Sequence, residues 1–188
     1  MANPEGKAIE LASYADIEAL APNLIGEILA GELVVSPRPA PRHAQASSVL
    51  TALIGSPFGI GKGGPGGWRI LDEPELHLRK DVVVPDLAGW RLARMPALPE
   101  TAFFTLPPDW VCEVLSDSTR RRDRVQKLPI YARERVGHVW LLDPEARTLE
   151  VFRQDGEGWH LVATWADTDK VRAEPFDAIE LDLSLLWA

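Results

Sequence analysis

The seven residues 109–115, DWVCEVL, restrict the fold more than any other part of this chain. They form a short, nearly apolar run of the kind buried at the centre of a sheet. Side chains in a strand alternate, so Val111, Glu113 and Leu115 share one face. A carboxylate there is costly unless it is paired or bound to a metal ion. The run therefore predicts a buried strand and, inside it, a charge that needs a partner.

The rest of the chain supplies neighbours for that strand. HVWLLDP, 138–144, is a second buried strand, and TLEVFRQ and WHLVATW form a hairpin around DGEG. Another hairpin is expected in LIGEILAGELVVSP, turning at Ala30-Gly31. Further strands are expected over 68–79 and 82–90, with a proline-rich loop over 91–109. Ser13 and Asp16 mark a helix start, giving a short helix over 14–21 closed by Pro22. From Arg42, the residues Ala46, Val49, Leu50, Leu53 and Ile54 recur at helical spacing as far as Gly55. The glycine-rich 55–67 reads as a surface loop, because Gly61-Lys62 lacks the following Ser or Thr of a phosphate-binding loop. A basic helix is expected over 123–135, bent or delayed by Pro129. The tail, 176–187, packs either on the core or on a partner. This order predicts an α/β (α+β) fold, a mixed central sheet flanked by helices with additional hairpins, in a single domain over 1–188.

Charge narrows the function. Twenty basic residues stand against 28 acidic ones, a net charge of −8, which argues against a passive nucleic-acid coat. The distribution is uneven: 116–135 carries seven cations against three carboxylates. An enzyme acting on nucleic acid can combine such a basic patch with a carboxylate cluster. One cysteine, Cys112, excludes a disulfide framework. No apolar run approaches membrane-spanning length and the N-terminus lacks a signal-peptide pattern, so a cytoplasmic protein without membrane contact is expected. There is no HExxH or G-x-S-x-G motif, and Trp90, Trp110 and Trp140 fall on expected strands as core residues.

Asp86, after Val82-Val83-Val84-Pro85, joins Glu113 as the second carboxylate near a buried strand. The plain alternatives are a turn role for Asp86 and an arginine partner for Glu113. Lys127 lies four residues from both Asp123 and Tyr131, so the three share a helix face. That helix directly follows the Glu113 strand and can lean over its end. A simple Asp123–Lys127 surface pair is the alternative.

The run VVVPDLAGW, followed by PPDWVCEVLSDSTRRRDRVQKLPIYARERVGHVWLLDP, resembles the Uma-two family of putative restriction endonucleases. That family is a branch of the nuclease superfamily with the PD-(D/E)xK motif. The resemblance implies a restriction-endonuclease-like core and metal-dependent hydrolysis of DNA phosphodiester bonds. It implies Asp86 and Glu113 as catalytic carboxylates and metal ligands; a hard ion such as Mg²⁺ or Mn²⁺ prefers oxygen, and the backbone carbonyl of Val114 is a candidate third ligand. The usual motif places a lysine two residues after the strand carboxylate, where this chain has Leu115. In the family resembled, that lysine has moved to the following helix, which implies Lys127.

His43 matches a histidine of the same pattern, while the expected first core helix carries no acidic residue. Glu27, Glu32 and Glu75 are candidate further carboxylates, each with a salt-bridged or surface role as the commoner alternative. Arg120, Arg121, Arg122 and Arg124 are candidates for phosphate contacts. A rival reading is a catalytically inactive nucleic-acid-binding or assembly module on the same fold. A homodimer is a further expectation, resting on Leu183, Leu186 and Trp187 as an exposed apolar tail.

Overall fold

A computed structural model describes residues 11–187. In chain order the elements are α1 (Tyr14–Glu18), β1 (Ile25–Leu29), β2 (Glu32–Ser36), α2 (Pro41–Ile54), β3 (Trp68–Asp72), β4 (Leu76–Leu78), β5 (Asp81–Val83), β6 (Leu87–Arg91), β7 (Trp110–Val114), α3 (Arg120–Arg122), α4 (Leu128–Arg133), β8 (His138–Asp143), β9 (Thr148–Asp155), β10 (Gly158–Ala166), β11 (Lys170–Val171) and β12 (Leu181–Asp182). Six strands make the main sheet in the order β10-β9-β8-β7-β6-β3. Its one parallel pair is β7–β8, and the helical stretch 120–133 is the crossover that such a pair requires. Four antiparallel strands, β2-β1-β5-β4, make a smaller sheet.

Strand β7 divides the core as its alternation demands. Trp110, Cys112 and Val114 pack with Ala46, Leu50 and Ile54 of α2 and with Phe176. Val111 and Leu115 pack on the opposite side, with Ile130 and Tyr131 of α4 and with Leu29 and Val83 of the smaller sheet. Trp90, Trp110 and Trp140 are all fully buried core residues.

The structure departs from the sequence expectations at four places. The glycine-rich stretch is not loop throughout: Gly55–Ile60 continues α2 as a π-helix and buries Pro57 and Phe58. Phe58 lies 4.7 Å from the Phe176 ring, so its apolar burial carries the helix onward despite two glycines. The basic helix starts earlier, at Arg120, and contains a π-helical turn over Asp123–Lys127. Pro129 explains the turn: it cannot donate an amide hydrogen, and its ring crowds the preceding turn, which a wider helix accommodates. The two expected strands between 68 and 90 are four, shared between the two sheets. Finally, the tail is internal. Leu181, Leu183 and Leu186 are buried in the α2 core, and Trp187 Nε1 donates to the Asp167 carbonyl at 2.7 Å. The surface that motivated the homodimer is therefore part of the chain's own core, which corrects that argument.

The first hairpin turns where expected. Ala30 and Gly31 have φ of 54° and 89°, the left-handed pair that a two-residue hairpin needs. Asp81 accepts the Ala30 amide at 2.7 Å and fixes the strained alanine.

Candidate active site

Glu113 sits in the middle of β7 at 2% exposure, facing the helical crossover. The π-helical turn places Asp123 and Lys127 over it, both buried. Lys127 Nζ lies 2.9 Å from Glu113 Oε1 and 3.0 Å from Oε2. One turn on, the Tyr131 hydroxyl donates to Glu113 Oε1. Lys127 and Tyr131 thus both bind Glu113, while Asp123, four residues before Lys127, lies 3.9 Å from it.

Strand β1 brings in Glu27. Its Oε1 is 3.0 Å from Lys127 Nζ and accepts the Val84 amide at 2.9 Å. Lys127 also donates to the Val84 carbonyl at 3.2 Å. Two residues further, Asp86 Oδ2 accepts the Val114 amide at 2.7 Å, directly beside Glu113. Asp86 Oδ1 lies 3.2 Å from His43 Nε2, delivered by the first turn of α2. All of these residues except Tyr131 line one cleft of about 310 Å³.

Negative charge is in surplus here. Glu27, Asp86, Glu113 and Asp123 face Lys127 and Arg122, whose Nε is 3.8 Å from Glu27. Burial pushes Glu113 well above the usual carboxylate range, and Asp123, Asp86 and Glu27 push the same way against Lys127. Burial opposes the charge on Lys127, yet Glu113, Glu27, Asp123 and Asp86 outweigh it, so the ammonium is held charged above its ordinary range. Asp123 is raised by burial, partly offset by Lys127. For His43, burial is outweighed by the bond to Asp86, and the imidazole is raised. The buried Cys112 thiol is pushed up by burial, as suits an inert core residue.

The donor chemistry fits a hard divalent ion. Among the described residues no three His, Cys, Asp or Glu form a ready-made metal cage. Mg²⁺ does not need one, because it is commonly held by one or two carboxylates and keeps several waters. Asp86 and Glu113, with the carbonyl of Val114 next in the chain after Glu113, offer oxygens of that kind, and the surplus negative charge favours a cation.

The other sequence candidates divide. Glu32 is exposed in the hairpin, and Glu75 is paired with His77 at 2.7 Å, so neither lines the cleft. Arg120 is bound to Asp143 and Asp117 at 3.0 Å, Arg122 faces Glu27 and Asp123, and Arg124 pairs with Glu150. Arg121 is exposed and has no ion pair among the described residues. Glu27 is the site residue that sequence reasoning undervalued. Its signal was present: a lone carboxylate in the apolar strand IGEIL obeys the argument that exposed Glu113.

Fold and cleft together define a mixed-sheet α+β protein with a lysine–carboxylate cluster over the central parallel pair of its sheet. The Uma2 family, described as "Putative restriction endonuclease", matches residues 11–185, and the chain belongs to it. Among solved structures, it is similar to one described as a "putative nuclease belonging to DUF820" from Anabaena variabilis ATCC 29413. The two share 20% identity, with 86% of this chain and 89% of that chain covered and a TM-score of 0.72. At that identity the likeness shows the shared fold. No curated protein matches the chain.

Proposed function

We propose that this chain is an endonuclease that hydrolyses DNA phosphodiester bonds with Mg²⁺ or Mn²⁺. The supporting observation is the convergence of Asp86, Glu113 and Lys127 in one cleft, joined through the Val114 amide and direct ion pairs. Family membership supports the reaction class.

Asp86 and Glu113 would hold the ion, with the Val114 carbonyl as a third oxygen. A bound divalent ion supplies a more acidic water and neutralises phosphate charge. Lys127, kept as an ammonium by its carboxylates, acts as a hydrogen-bond donor and fixed charge and not as a base. Glu27 and the Val84 carbonyl aim its Nζ, and Tyr131 fixes one Glu113 oxygen. His43 restrains Asp86. These contacts pre-set the carboxylates, so little reorganisation is left for the reacting state.

Incubation of purified protein with supercoiled plasmid, with Mg²⁺ or Mn²⁺ or with chelator, tests the reading. Nicked and linear DNA should form only with the ion, and Asp86→Asn, Glu113→Gln and Lys127→Ala should each lose that activity. Cleavage by Glu113→Gln at the wild-type rate would contradict it. A wild-type protein that binds DNA but cuts neither duplex, single strand nor RNA would instead support the inactive binding module.

A further inference from the structure

The arginines that sequence reasoning offered to phosphate are mostly committed elsewhere. Arg120, Arg122 and Arg124 each face carboxylates of this chain. A guanidinium already paired inside the protein has little charge left for a substrate. Different arginines are uncommitted. Arg38, Arg42 and Arg147 are exposed, and none has an ion pair or side-chain hydrogen bond among the described residues. In a chain of net charge −8, unpaired arginines gathered on one edge call for an anionic partner.

Their placement is directional. β7 and β8 are parallel, so Val114, which ends β7, and the turn after Asp143 lie at the same end of these strands. Arg147 is in that turn, with φ of 53°, and α2 begins at the same end with Arg42 beside His43. Arg38 lines the catalytic cleft. Arg42 and Arg147 line a second cleft of about 310 Å³, floored by Leu186 and Trp187. The first turn of α2 joins the two clefts, since His43 faces one and Arg42 the other. Glu145 is the carboxylate of the second cleft, and its oxygen lies 3.7 Å from Arg120.

We infer that Arg42 and Arg147 form a phosphate-binding track that carries the nucleic-acid backbone out of the catalytic cleft, past Arg38, into the second cleft. This rests on the proposed nuclease reading and adds to it where the strand runs. Arginine suits the role because its planar fork can grip two phosphate oxygens. The neighbouring apolar floor of Leu186 and Trp187 can cover a sugar. The track positions the substrate and carries no base readout.

Fluorescence anisotropy tests this with a labelled DNA duplex and Ca²⁺ in place of Mg²⁺, titrated across a salt series. The Arg42→Ala/Arg147→Ala double variant should bind more weakly, and its slope of log affinity against log salt should fall by about 2. Its melting temperature should match the wild type, since neither side chain holds anything in the fold. Arg124→Ala, which removes an arginine already paired with Glu150, should leave the slope unchanged. An unchanged slope in the double variant, with wild type binding normally, would overturn the track alone. A lowered slope in Arg124→Ala but not in the double variant would place the backbone along the basic helix and also overturn it. A wild-type protein with no affinity for DNA would remove the nuclease reading and the track together.

Discussion

The two faces of the five-residue strand β7 meet opposite surroundings. On one face Trp110, Cys112 and Val114 enter a dry aromatic core. Phe176 packs there against Phe58, Trp68, Trp110 and Trp140, with ring centroids 4.7–5.6 Å apart. On the other face Val111 is apolar, but Glu113 meets Lys127, Tyr131 and the carboxylates of Glu27 and Asp123. The first face follows the rule that buried area stabilises. The second departs from it locally, where Glu27, Asp86, Glu113 and Asp123 share a cleft with Lys127 and Arg122 beside the apolar cluster of Leu29, Val83 and Val111. Both faces bury an apolar core, but only the α2 face is free of buried charge. On the helical-crossover side the buried charges set a cost against that apolar burial, and under the proposed function that cost is offset when an ion binds.

The tail gives the largest break in that comparison. Truncation after Ile179 removes Leu181, Leu183 and Leu186 from the dry core. Each such side chain contributes about 1.5–3 kcal/mol, and the sum rivals the ~5–15 kcal/mol of an ordinary domain. The truncated chain should show no cooperative thermal transition. A folded monomer derived from a dimeric full-length protein, seen by sedimentation, would instead make the tail an interface.

Next is Phe176→Ala, which empties the point where four aromatic rings meet. It should cost about 3–5 kcal/mol in chemical denaturation while leaving the cleft residues in place. A loss below about 1 kcal/mol would mean that the aromatic cluster contributes little to stability.

On the charged face the expected stability effect is the smallest and has a pH signature. Folded Glu113 keeps its proton to higher pH than it does in the unfolded chain. Above the ordinary carboxylate range the native state therefore binds more protons than the unfolded state, and this group lowers stability as pH rises. Glu113→Gln removes that slope, so the variant should gain on wild type as pH is raised through and above the carboxylate range. Denaturation of both proteins over a pH series measures the difference. A variant that loses ground to wild type with rising pH would show Glu113 to be net stabilising.

Much of this contrast was legible in the sequence. The period of two in DWVCEVL separated the faces, and the spacing of four put Asp123, Lys127 and Tyr131 together. Those are local regularities, and local regularities survive folding. Pairing across the chain is not local. Nothing in the basic run tells that Asp143, Glu27 and Glu150 will take up three of its arginines, because those carboxylates arrive from other strands. Glycines hid the helical extension at Gly55–Ile60, although Phe58 offered an apolar anchor. Pro129 announced a disturbance, but not that a wide turn over Asp123–Lys127 would absorb it. The tail had the right residues and an undecided direction, which only the depth of the α2 core settles.

Calorimetric titration of the purified chain with Mn²⁺ tests most directly whether the charged face is kept for a divalent ion. Wild type should show a saturable binding event, and Lys127→Ala should retain it, because the lysine is assigned to the reacting phosphate and not to the ion. Asp86→Asn and Glu113→Gln should each abolish it while remaining folded. Unchanged Mn²⁺ affinity in both carboxylate variants would contradict the account.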